Sequence, residues 1–188
     1  MNDGKATRQR LLDAATEEFA THGIAGARVD RISASAKANK AQLYAYFGDK
    51  ERLFDTVFRQ QADELVTIVP FTADDLPGYA VGLYDACLTR PNLVRLATWA
   101  RLERIPAGVL VTSMPEQTAE KLDAIARAQL SGDVTPALEP ADVLAMVSML
   151  ALTWSPASLF VTATAADPDA DHDRRRTALA ETVRRAFC

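Results

Sequence analysis

The chain has 188 residues, a net charge of −4 and 48% hydrophobic residues, enough for one small and one medium domain, each with its own core. Its two cysteines, Cys87 and Cys188, offer no spacing for a metal or a disulfide framework. Its two histidines, His22 and His172, come with no Gly-rich phosphate loop, no G-x-S-x-G turn and no Cys/His cluster, so catalysis has little to stand on and neither cofactor nor metal is expected.

An alanine-rich composition with few alternating apolar runs points to an all-α fold. The first helix is expected over about 7–22, with Leu11, Leu12, Ala15 and Phe19 inward and Gly23 ending it. His22 falls in the last turn, where a donor side chain suits the exposed carbonyls. From Val29, the pattern Val29, Ile32, Ala36 has helical spacing, and Asp30 sits in the first turn where a negative charge suits the helix dipole. A break near Lys37-Ala38 follows, and Asn39 can cap a further helix that starts at Lys40. Two short helices joined by a tight turn make a helix-turn-helix.

A helix drawn from Lys40 puts Leu43 and Phe47 on one face, toward a core, and leaves Lys40, Gln42, Tyr44 and Tyr46 free to meet an external surface. Those free residues are suited to nucleic acid: Lys is a mobile cation, Tyr donates a hydroxyl to phosphate, and Gln carries an amide that can pair with a base edge in the major groove. Between Asp30 and Asp49 there is no acidic residue, while Arg31, Lys37 and Lys40 fall inside that window. Acid is thus absent where a phosphate backbone would lie. Residues 1–60 carry ten Lys/Arg against eight Asp/Glu, or +2, and the remainder eleven against seventeen, or −6. Overall acidity therefore does not exclude DNA binding.

The stretch from Arg8 to about Arg59 resembles the N-terminal domain of the TetR family of transcriptional regulators. The matching residues are Arg10 to Ala15, Phe19, Gly23, Val29 to Ser33, Lys40 to Phe47 and Lys50 to Phe54, the aromatic end of the third helix being followed at once by Gly48-Asp49-Lys50-Glu51. Two departures stand out. Lys37 occupies a turn position where the family has Gly, which puts a side chain at positive φ at a cost of about 1 kcal/mol. Arg28 stands where the family often has a capping Ser or Thr, leaving that helix start without a side-chain cap and Arg28 able to reach a phosphate. Carried onto this chain, the DNA-contacting set is Arg28, Lys37, Asn39, Lys40, Ala41, Gln42, Tyr44, Tyr46 and Lys50.

The fourth helix is expected over about 50–69, with Leu53, Phe54, Val57, Phe58 and Leu65 on its apolar face and Pro70 at its end. Proline and glycine then punctuate helices at about 78–89, 91–104, 115–130, 140–164 with a kink at Pro156, and 171–186. Arg101, Glu103 and Arg104 are expected to face solvent or pair with one another. The acidic stretch 167–173 is expected to be a solvated loop, and Cys87 a small buried apolar residue. Residues 143–166 carry no charge, but six hydroxyl residues, Pro156 and the flanking Asp142 and Asp167 argue against a membrane span and for a buried helix at a subunit interface. A polar, charged N-terminus lacks a secretory signal, so a cytoplasmic location is expected.

The division read from the sequence is a helix-turn-helix domain at 1–49 and a helical effector-binding and dimerisation domain at 50–188. The resemblance implies a homodimer joined through the last two long helices, here Val143, Met146, Val147, Leu150 and Phe160. It also implies a small-molecule pocket, for which this chain offers Tyr79, Tyr84, Trp99, Leu102, Met114 and Trp154, suited to an apolar or aromatic effector. The expected function is a regulator, most often a repressor in this family, bound to double-stranded palindromic operator DNA. The rival classes are an architectural DNA-binding protein without effector and, less favoured, a small helical enzyme.

Overall fold

The computed structural model describes residues 3–108, 110 and 115–188. The described residues are helical: α1 (Asp3–Gly26), α2 (Val29–Ser35), α3 (Lys40–Phe47), α4 (Lys50–Ile68), a 3₁₀ turn (Ala73–Asp75), α5 (Leu76–Thr89), α6 (Pro91–Glu103), α7 (Pro115–Ser131), α8 (Pro140–Ala151) and α9 (Asp169–Phe187). They form two compact units, one of residues 1–64 with 92–111 and the other of 65–91 with 112–188.

The core of the first unit is built by α1, whose Leu11, Leu12, Ala15 and Phe19 are buried, against Ile32 of α2, Leu43 of α3 and Leu53, Phe54 and Val57 of α4. Phe19 meets Phe54 edge to face at 5.3 Å, a geometry that contributes about 0.5–1.5 kcal/mol beyond the burial itself. Gly23, at φ 72°, breaks α1 near its end, as its place after the apolar run suggested. Leu96 and Ala100 of α6 are buried in this same core. The packing division therefore differs from the 49/50 division in two ways. The first turns of α4 belong with the helix-turn-helix because Leu53, Phe54 and Val57 complete its core, and α6 joins them from a distant part of the chain.

In the second unit α5 packs on α8 and α9, and α7 on α8. Leu76, Ala80 and Tyr84 of α5, Ile125 of α7, Val143, Val147 and Ala151 of α8, and Leu179, Val183 and Phe187 of α9 form its interior. The expected helix over 140–164 stops at Ala151. Thr153 Oγ1 donates to the Leu150 carbonyl at 2.6 Å, and Ser155 Oγ accepts from the Ala157 amide. These hydroxyls offer the backbone alternatives to the helix ladder just where Pro156 has no N–H to contribute. The connection that follows is held by its own bonds, Ala163 N–H to the Trp154 carbonyl at 2.8 Å among them. No helix among the described residues is long and apolar enough to cross a membrane.

Candidate functional site

The junction of α2 and α3 is closed by local hydrogen bonds. The amides of Ala36, Lys37 and Ala38 donate to the carbonyls of Ile32, Ala34 and Ser33, which meets the end of α2 without a side-chain cap. Lys37 has φ 50°, alone among the described non-glycine residues in lying at positive φ, as the turn demanded. Asn39 caps α3: its Oδ1 accepts from the Gln42 amide at 2.8 Å while Gln42 Oε1 accepts from the Asn39 amide at 3.1 Å. Two otherwise unmet backbone donors are thereby satisfied reciprocally.

With its start fixed, α3 buries Leu43 and Phe47 and turns the rest outward. Tyr44 is 47% and Tyr46 40% exposed, and Lys40, Ala41 and Gln42 are exposed beside them. The structure qualifies three of the expected contacts. Gln42 has committed its carbonyl oxygen to the cap, so the group it has left for a base is its NH₂ donor. Lys40 Nζ lies 2.5 Å from Asp30 Oδ1, and this pairing raises its pKa. Lys50 Nζ donates to the carbonyls of Ala25 and Ala27, 3.3 Å each, which ties α4 to the end of α1 and occupies the ammonium. Arg28 and Lys37 are exposed, and Arg28 stands before α2 with no side-chain cap.

Sequence reasoning missed the residue that orients α2. Glu18, 9% exposed, accepts from the Arg28 amide at 2.8 Å and from Arg31 Nε at 2.8 Å. Burial pushes its carboxyl up, but the bonds from Arg31 and the Arg28 amide outweigh burial and hold it below the usual carboxylate range. The only sequence sign is position: Glu18 precedes Phe19 on α1, an acid against the inward face.

Residues of α6 bond to the same unit. Trp99 Nε1 donates to the Ala20 carbonyl at 3.2 Å, Glu103 accepts from the Ala25 amide at 2.7 Å, and Arg104 Nη1 lies 2.5 Å from Asp55 Oδ1. Arg101 Nη1 donates to the Ile105 and Gly108 carbonyls. Glu103 and Arg104 are exposed, as expected, and Arg101, Glu103 and Arg104 each bond elsewhere in the first unit rather than to one another.

The expected effector residues separate accordingly. Trp99 packs in the first unit, where its ring would crowd any side chain at Gly23, and Leu102 is 69% exposed. Met114 lies outside the described residues. Tyr79, Tyr84 and Trp154 all fall in the second unit. Tyr79 meets Phe71 edge to face at 4.9 Å, with Lys121 Nζ 5.4 Å from the Tyr79 ring centre. Tyr84 meets Trp154 edge to face at 5.8 Å, and its hydroxyl lies 2.8 Å from His172 Nδ1. Tyr84, Cys87, Trp154, Pro156 and Ala163 surround a cavity of about 10 Å³, room for about one water molecule. Burial pushes the Cys87 thiol up to about 11, so it stays protonated and unreactive at neutral pH.

Of the expected dimer residues, Val143 and Val147 are fully buried within their own unit and Leu150 is half-buried against it. Met146, 48% exposed, and Phe160, 96% exposed, face outward, as do Met149 at 63% and Leu159 at 94%. The acidic stretch 167–173 is likewise not a plain solvated loop. Asp167 holds the buried Arg175, and α9 begins at Asp169.

Comparison with known proteins agrees with this arrangement. Residues 11–57 match the family model described as bacterial regulatory proteins, tetR family, and residues 75–185 match the model described as tetracyclin repressor-like, C-terminal domain. The chain is 38% identical over 154 residues to the HTH-type transcriptional repressor SCO4008 of Streptomyces coelicolor, covering 81% of this chain and 80% of that protein. The crystal structure of the transcriptional regulator SCO4942, also from Streptomyces coelicolor, superposes with a TM-score of 0.80 at 41% identity, covering 96% of this chain and 98% of that one. A TetR family regulator from Marinobacter aquaeolei shares the fold, with a TM-score of 0.69 at 20% identity and coverage of 94% and 95%.

Proposed function

The chain belongs to the TetR family of DNA-binding transcriptional regulators, and on that premise we propose that it is a repressor whose two copies hold a palindromic operator until a small effector enters the second unit. The observation that supports the DNA half of this reading is the two-sidedness of α3. Its core residues Leu43 and Phe47 are buried while Lys40, Tyr44 and Tyr46 stand exposed, on a stretch from 31 to 48 without an acid. Two such helices on a two-fold axis match two half-sites.

The dimer surface in this reading is the outer face of α8, with Met146 and Met149, together with Phe160. These residues are exposed in one chain, and apolar groups in such a group are candidates for burial against a copy. The effector reading draws on Tyr84 and Trp154 around a cavity that is nearly filled, so a ligand must displace side chains to enter. Differential binding to two states then shifts the population away from the DNA-competent spacing.

The test is a titration of labelled palindromic duplex and of a duplex carrying one half-site. Two chains bound to the palindrome, with much weaker binding to the half-site, support the reading. Equal affinity for both duplexes contradicts it. Spin labels on the exposed Ala45 of each protomer should report a changed separation when an effector releases DNA, and release at unchanged separation rules out the proposed coupling.

A further inference from the structure

The second unit encloses a charged group that its fold leaves incompletely satisfied. Arg175, on α9, is 6% exposed. Its Nη1 donates to Asp167 Oδ2 at 2.6 Å, while its Nε is buried without a partner. The guanidinium also lies beside the Tyr84 hydroxyl, which is itself in contact with His172 Nδ1. An ion pair serving only structure gains most from a two-armed contact between the guanidinium fork and a carboxylate. Asp167 uses one arm, and its other oxygen accepts from Thr164 Oγ1 at 2.8 Å. The unmet valence in this cluster is a donor's, so the group that would complete it is an acceptor.

Tyr84 links this cluster to the cavity, since it is one of the lining residues and its hydroxyl lies 2.8 Å from His172 Nδ1, while Arg175, Asp167 and His172 stand behind the lining. Trp154, Pro156 and Ala163, also walls, belong to the non-helical connection between α8 and α9. Asp167 lies at the end of that connection, so its bond to Arg175 fastens the connection to α9. A second anion at the Nε side would share the guanidinium charge with Asp167 and repel its carboxylate, and a weakened Asp167 bond would loosen the wall that keeps the cavity closed.

We infer that Arg175 is the anion anchor of the effector site and that the effector is a planar, largely apolar carboxylic acid. Its carboxylate takes the Nε side of the Arg175 fork, and its ring lies against Trp154 and Tyr84 as the connection yields. This inference rests on the effector reading above and narrows it from an apolar or aromatic body to one bearing a single anionic group.

The full chain is titrated with 2-naphthoate, 2-naphthamide and 2-naphthylmethylammonium, which share a ring system and differ in charge, following tryptophan fluorescence and melting temperature. Naphthoate should bind about tenfold or more tighter than the amide, the difference expected when a charged donor gains a charged acceptor. Arg175→Lys, which keeps the charge but loses the fork, should erase most of that preference, and Asp167→Asn, which removes the competing carboxylate, should tighten naphthoate binding. Naphthoate binding no tighter than the amide in the unaltered chain overturns the anion anchor, whatever the variants do. If the amide or the ammonium binds instead, the effector reading stands with another ligand class. If none of the three binds, the anion anchor falls and the effector reading loses its support from this cavity.

Discussion

The carboxylate of Glu103 accepts a hydrogen bond from the backbone amide of Ala25 at 2.7 Å, across 78 residues of sequence. Gly23 interrupts α1 two residues before that amide, at φ 72° and ψ −179°, so the bond falls where the helix ladder is disturbed. Glu103 therefore serves as a cap supplied by a different helix, and it fastens α6 to the end of α1. Trp99 lies on the same contact, its ring filling the space above Gly23.

Glu103→Ala should cost about 1 kcal/mol of stability, the magnitude of a lost cap. Amide hydrogen exchange should quicken at 24–27 before it does at the buried centre of α1. Unchanged exchange there would show that the bond carries no stability.

Glu18 makes the first unit sensitive to acid. Its folded pKa lies below the unfolded value because the bonds from Arg31 and the Arg28 amide prevail over burial. A depressed carboxylate adds stability that is fully present above its unfolded pKa, near 4.5, and is lost as pH falls through the lower folded value. Glu18→Gln should destabilise the chain at neutral pH by about 1–3 kcal/mol and flatten this acid limb. Parallel melting curves for the two chains from pH 3 to 6 would remove Glu18 as the cause.

Lys37 separates stability from DNA affinity. Lys37→Gly relieves a side chain at positive φ and should stabilise the chain by up to about 1 kcal/mol. The same change removes an exposed cation from the acid-free stretch, so DNA affinity should fall and its salt dependence weaken. A variant that melts higher and binds DNA unchanged would place Lys37 away from phosphate.

On α3, Lys40→Ala should weaken binding to all duplexes and lower the salt slope by about one unit. Tyr44→Phe should weaken binding without changing sequence preference. Gln42 has two roles, so Gln42→Glu is more informative than alanine: it keeps an acceptor for the Asn39 amide but replaces the remaining NH₂ donor with negative charge. Helix content should be preserved and operator preference lost; retained preference would mean that Gln42 serves the cap alone.

The outer face of α8 is the proposed seat of the dimer. Met149→Glu should yield a folded monomer, because Met149 is 63% exposed and a charge there meets only solvent in a single chain. Leu150→Glu is a poorer test, since Leu150 packs against its own unit's core and its loss confounds folding with assembly. A Met149→Glu chain that sediments as a dimer would move the interface elsewhere.

The helix-turn-helix was legible because its determinants are local. Asn39 caps three residues ahead and Leu43 and Phe47 lie one helical turn apart, while the positive φ at Lys37 was expected from the family resemblance, which places Gly at that turn position. The membership of α6 was not legible, because the Trp99–Ala20 and Glu103–Ala25 bonds join residues 79 and 78 apart and leave no periodic trace. The end of α8 was misread for a different reason. Residues 152–164 keep an apolar, charge-free composition, but hydroxyl competition and Pro156 decide the backbone, and composition does not register that. Arg175 was legible only in part: His172, Arg175, Leu179, Val183 and Phe187 fall on one buried line of α9, a stripe whose first two members are polar.

The most direct test of the account is selection of bound duplexes from a random pool by the full chain at two salt concentrations, followed by sequencing. The account predicts enrichment of a palindrome whose half-sites lie about one helical turn apart, with affinity falling steeply as salt rises. Salt-sensitive binding that enriches no motif would contradict a sequence-reading dimer and leave α3 as a phosphate clamp.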